Sequence, residues 1–104
     1  MKQCRITVVK KIEHKDLMKQ FENPISHACD LEEGMVFISS NGEKPVGLCE
    51  SAWNTLYPFV FALANGAKDI YDGWMKNPTS AMISCNDGFR PVSFYIEAID
   101  EEMK

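Results

Sequence analysis

One segment limits the folds open to this chain more than any other. Over residues 50–65, Trp53, Leu56, Tyr57, Val60 and Ala64 fall at i, i+3, i+4, i+7 and i+11, a single stripe that a helix would bury. Phe59, Phe61 and Leu63 widen the stripe, so the helix is predicted to be covered on more than one side. Asn65-Gly66 suits its C-terminal cap. Pro58 lies inside it and is predicted to kink the helix, or to divide it so that a second piece starts there.

The rest of the apolar pattern is mostly that of strands. Residues 4–12 alternate, with Cys4, Ile6 and Val8 on one face and Arg5, Thr7 and Val9 on the other, which predicts a first strand. Residues 15–22 place Leu17, Met18 and Phe21 at helical spacing before Asn23-Pro24, a short helix with a proline stop. Residues 25–34 read as an irregular connection, and residues 35–39 as a second short strand ended by Asn41-Gly42. Residues 67–80 read as a long loop with room for one extra turn. Residues 81–85 and 92–99 flank Asn86-Asp87-Gly88 and are predicted to pair as an antiparallel hairpin. The order β-α-β-α-β-β predicts an α+β fold, a mainly antiparallel sheet packed by one long kinked helix and one short one.

A chain of 104 residues suits one domain, here spanning residues 1–104, with a real core and little room for a second. No apolar run reaches the ~18–20 residues needed to span a bilayer, and the first residues lack the apolar stretch of a signal peptide. The expectation is a soluble, cytoplasmic protein. Residues 1–20 carry six Lys/Arg against two Asp/Glu, net +4, and residues 21–104 carry five against thirteen, net −8. A nucleic-acid binder would show a basic surplus over its folded body, so this balance disfavours nucleic acid and an acidic membrane surface as partners. The Asp100-Glu101-Glu102 tail reads as a solvated end.

Four cysteines stand 25, 20 and 36 residues apart, with no Cys-x-x-Cys. A reducing cytosol disfavours stable disulfides, and a metal site would have to be assembled from distant segments. The segment Cys85-Asn86-Asp87-Gly88-Phe89-Arg90-Pro91-Val92 concentrates a thiol, a carboxylate and a guanidinium around a turn, more chemistry than a hairpin requires. Pro91 holds Arg90 extended and aims it consistently. No phosphate-binding glycine loop, nucleophile elbow or His-Glu-x-x-His occurs.

Several segments together resemble a group of small uncharacterised prokaryotic proteins. The matching pieces are Ile6-Thr7-Val8, Cys29 ahead of Glu32-Glu33-Gly34-Met35-Val36-Phe37, Gly47-Leu48-Cys49 ahead of Ala52-Trp53, and the segment from Cys85 to Val92. The match covers most of the chain, and its last motif is the most specific. Cys4 stands where the family pattern is merely apolar, and Pro58 where it has an ordinary helix former. The resemblance implies a site rather than an activity, and it singles out Cys29, Cys49 and Cys85.

Each of these three also has a local reason to be noticed. Cys49 precedes the main helix, where free N–H groups favour a thiolate. Cys85 ends a strand beside the turn, and Cys29 follows His27 by two residues. The first reading is a cysteine-centred site in which Cys29, Cys49 and Cys85 hold zinc, with His27 or water as fourth ligand, or an iron–sulfur cluster. The second is a cofactor-free enzyme acting on a small carboxylate or carbonyl compound. There Cys85 or Cys49 is the reactive thiol, Asp87 the proton acceptor and Arg90 the substrate anchor. The third is a non-catalytic interaction module that recruits a partner, or a second copy as a homo-oligomer, through the Trp74 loop or an exposed sheet edge. It predicts dispersed cysteines and an apolar surface patch. Each reading has a plainer competitor: core packing for a free cysteine, turn chemistry for Asp87-Gly88, a structural salt bridge for Arg90, with Asp87 as the candidate mate, and core positions for Trp53, Tyr57, Phe59 and Phe61.

Overall fold

The computed structural model describes residues 1–25 and 29–99. His27 and the Asp100-Glu101-Glu102 tail lie outside the described residues. The fold is α+β, with the elements β1 (Gln3–Lys11), α1 (Lys15–Phe21), β2 (Val36–Ser39), α2 (Glu50–Ala64), α3 (Ile70–Gly73), β3 (Ser80–Ser84) and β4 (Val92–Ile99). Among the described residues the four strands form one antiparallel sheet in the order β2-β1-β4-β3. The predicted hairpin is present as β3 and β4, with Ala81 opposite Ile96 and Ile83 opposite Phe94.

Period-two alternation on the strands decides which side is covered. Cys4, Ile6 and Val8 of β1, Val92, Phe94 and Ile96 of β4 and Ala81 of β3 are buried on one face. Ala52, Leu56, Val60, Leu63 and Ala64 of α2 join them in a single core. The helix stops where the sequence predicts. Gly66, at φ 95°, donates to the Leu63 carbonyl at 3.1 Å and Ala67 donates to that of Ala62 at 3.0 Å, a Schellman closure that needs the left-handed residue glycine tolerates.

Three expectations change. α2 runs unbroken through Pro58, so of the two outcomes predicted there, a kink or a division, the division does not occur. Pro58 is exposed, as is Asn54, whose carbonyl the proline deprives of its usual donor. α2 is also covered on one side only: Tyr57 and Phe61 are 41% and 47% exposed, although the pattern places them with the core. α1 buries no residue, and Leu17 and Phe21 face solvent. The 67–80 loop contains α3, a turn with left-handed backbone at Asp69, Tyr71, Asp72 and Gly73.

Candidate functional site

The turn between β3 and β4 lies where three parts of the chain meet. The hairpin ends on a bond from the Cys85 amide to the Val92 carbonyl at 2.9 Å, and the Val92 amide donates to Cys85 Sγ at 3.3 Å. Asp87 Oδ1 accepts from the amides of Phe89 and Arg90 at 2.8 and 3.1 Å, the side-chain-to-backbone closure that suits aspartate to turns. The carbonyls of Phe89 and Pro91 accept from the amides of His14 and Ile12 at 2.8 and 3.1 Å. Asn86 Nδ2 donates to the Ser51 carbonyl, in the first turn of α2, at 3.3 Å.

Arg90 completes this junction. Its two terminal nitrogens donate to the two carboxylate oxygens of Glu22 at 2.9 and 2.6 Å, a fork-to-fork geometry. The side chains are only 16% and 15% exposed. The hydrogen bond to Glu22 raises the arginine pKa against the opposing effect of burial, and the charge of Glu22 adds to the rise. Arg90 is therefore held as a salt bridge, and its partner is Glu22 rather than Asp87. Sequence reasoning missed Glu22, because nothing local marks it as the mate of an arginine across the chain. An open groove of about 430 Å³ runs beside the pair, lined in part by Lys15, Met18, Lys19 and Pro24.

The cysteines have separate surroundings. Cys4 is fully buried on β1, with its thiol 3.6 Å from the Val60 carbonyl, and burial pushes its pKa up to about 11. Cys29 is partly buried against the core and its sulfur accepts from the Leu31 amide at 3.4 Å. Cys85 is also partly buried there. Cys49 is the exposed N-cap residue of α2, with Sγ 3.8 Å from the Ser51 hydroxyl.

Among the described residues no three His, Cys, Asp or Glu side chains gather to hold a metal ion. The expected ligand set of Cys29, Cys49 and Cys85 is thus not brought together, and the zinc or iron–sulfur reading finds no support in the geometry. The physical reason is placement: one thiol stands in solvent on the N-cap residue of α2 without bonding to the helix amides, while the other two pack at the core margin and accept backbone N–H groups. Of the catalytic candidates, Cys85, Asp87 and Arg90 share the turn, but each has a structural task there.

The sequence's other candidate residues gather in two aromatic groups, of which Trp53 and Phe59 are partly buried against the core and Tyr57, Phe61 and Trp74 are exposed. Trp53, Tyr57 and Phe61 run along one flank of α2 with ring centroids 5.4 and 5.9 Å apart. At 100° per residue, Phe59 falls on the opposite flank. There it stands 6.4 Å from Tyr71, which meets Trp74 edge-on at 5.2 Å. Both Tyr71 and Trp74 are exposed. Between the flanks lie Ser51, Asn54, Pro58 and Asn65, all exposed. From residue 51 to residue 67 the chain has no charged side chain, although a quarter of all its residues are charged.

Among the described residues no helix is long and apolar enough to cross a membrane. Comparison with known proteins finds no matching family model, no matching curated protein and no matching solved structure.

Proposed function

We propose that this chain is a non-catalytic interaction module whose binding surface is the outer side of α2 with its aromatic flanks. The partner is a protein segment with an apolar, uncharged face. One observation carries the reading: beyond Glu50 the outer side of α2 is in solvent, yet it is uncharged and is flanked by Tyr57 and Phe61 with large exposed rings. A helix exposed for its own sake would carry charges on that side. Depletion of charge with enrichment in aromatic residues is the composition of an interface centre. The partner's chemistry follows from the same fact, since a charged ligand would find no countercharge on α2 after Glu50. The arrangement around the turn agrees, because Asp87 and Arg90 have structural bonds and the thiols are dispersed.

The test is a panel of synthetic peptides, half apolar and uncharged, half strongly basic or acidic, titrated against the whole chain and against Phe61→Glu. The reading expects the apolar peptides to bind with a negative heat-capacity change and Phe61→Glu to abolish that binding while the fold is kept. Binding by charged peptides alone, or apolar binding indifferent to Phe61→Glu, overturns it.

A further inference from the structure

Two asparagines of this chain precede a glycine, Asn41 and Asn65, and the fold treats them differently. Such a pair is where a backbone can react with its own side chain, because the amide nitrogen of glycine has no side chain to shield it. Of the other asparagines, Asn23 and Asn77 precede proline, which has no N–H to give up, and Asn54 lies inside α2. Asn86 precedes an aspartate and is tied to the Ser51 carbonyl.

Asn65 is exposed but guarded. Its Nδ2 donates to the Phe61 carbonyl at 2.8 Å, and the Gly66 amide, the group that would attack, donates to the Leu63 carbonyl at 3.1 Å. Both bonds belong to the closure of α2, so freeing them unwinds the end of a helix whose Leu63 and Ala64 are core residues. Asn41 is exposed too. Among the described residues no hydrogen bond reaches its side chain or the Gly42 amide. Positive φ at both residues, 56° and 70°, with the Glu43 amide on the Ser40 carbonyl at 3.0 Å, makes residues 40–43 a type I′ turn. In that turn the Gly42 nitrogen points away from the Asn41 side chain, so reaction waits on opening. Opening breaks the bond from Glu43 to Ser40 and loosens one from the Ser39 hydroxyl to the Glu43 carbonyl at 2.6 Å. The pairing of β2 with β1 ends at Ser39, before the turn, and is left in place.

We propose that Asn41 is a site of covalent self-modification, where the side-chain amide is lost to give aspartate or isoaspartate while Asn65 is preserved. The Gly42 nitrogen bonds to Asn41 Cγ as the Cγ–Nδ2 bond breaks, and the proton given up by the Gly42 amide leaves with the side-chain nitrogen as ammonia. Water then opens the cyclic imide. Attack at the side-chain carbonyl leaves aspartate. Attack at the backbone carbonyl leaves isoaspartate, in which the chain runs through the side chain and is longer by a carbon. Nothing is oxidised or reduced, and water is the sole co-reactant. Either product adds a negative charge to a chain of net −4. Isoaspartate also cannot rebuild the turn, because the longer backbone displaces the Glu43 amide from the Ser40 carbonyl.

The experiment is prolonged incubation of the whole chain in neutral buffer, folded and in concentrated guanidinium chloride, with peptide mapping by mass spectrometry at intervals. In denaturant the two Asn-Gly pairs are chemically alike and are expected to react at similar rates. In the folded chain Asn41 is expected to react at least about tenfold faster than Asn65, because Asn65 waits on the larger opening. Ser39→Ala removes one of the two bonds that hold the turn closed, and is expected to speed the reaction at Asn41 severalfold while leaving Asn65 unchanged. Equal rates at Asn41 and Asn65 in the folded chain, or a folded chain in which Asn41 keeps its amide while the denatured chain loses it, overturns the proposal. The readout is chemical and does not depend on peptide binding at α2.

Discussion

Arg90 grips Glu22 across 68 residues of sequence, each of its terminal nitrogens on one carboxylate oxygen. The pair ties the turn after β3 to the end of α1, a helix that buries no residue of its own. α1 is thereby held against the body by a polar clasp, together with the amide of His14 on the Phe89 carbonyl.

That clasp predicts a stability phenotype for Arg90. Glu22→Gln and Arg90→Gln should each lower the melting temperature, and the double variant should lose less than the sum of the two, the signature of a direct interaction. Arg90→Lys should recover only part of the loss, because a point charge cannot reproduce the bidentate fork. Thermal unfolding of the four variants checks this. An arginine kept free for a substrate carboxylate would show no coupling to Glu22.

Cys4 predicts a loss of stability in alkali. Its folded pKa of about 11 lies above the ordinary 9.0, so the unfolded chain releases this proton first as pH rises. The stabilisation is complete below pH 9 and is lost between about pH 9 and 11, amounting to ~2–3 kcal/mol. Cys4→Ala removes this thiol, so its unfolding free energy should fall less steeply over that window. Urea titrations of both proteins at intervals from pH 8 to 11 measure the difference, in which every group common to the two proteins cancels.

The separate placement of the thiols predicts their order of modification. A disulfide reagent should label Cys49 within the native protein, Cys29 and Cys85 more slowly, and Cys4 only on unfolding, following their exposure. Peptide mapping after timed quenching reads the order, and Cys49→Ser should remove the fast phase alone. Three thiols protected together and released together by a chelator would instead mark a shared ligand set.

The strands, both main helices and the hairpin were legible in the sequence because they rest on local signals: alternation at Cys4, Ile6 and Val8, helical spacing from Ala52 to Ala64, and Asn65-Gly66 as a stop. The candidate site was legible only in part. The turn from Cys85 to Arg90 was visible as a concentration of polar chemistry, and its plainer competitor for Asp87 agrees with the bonds to Phe89 and Arg90. Glu22 was not visible, since pairing across the chain depends on where α1 docks and not on its own neighbours.

By itself the sequence determined where the backbone turns, alternates and coils, since steric preference and side-chain period act over a few residues. Tertiary structure alone decided what covers each apolar face. Periodicity sets Tyr57 and Phe61 with the stripe of α2 and Leu17 with Phe21 in a stripe on α1, but burial needs a second surface at the right distance. The sheet supplies one for Leu56, Val60 and Leu63 and none for those four. The same assembly leaves Val36 and Ile38 exposed on β2, a border strand of the sheet.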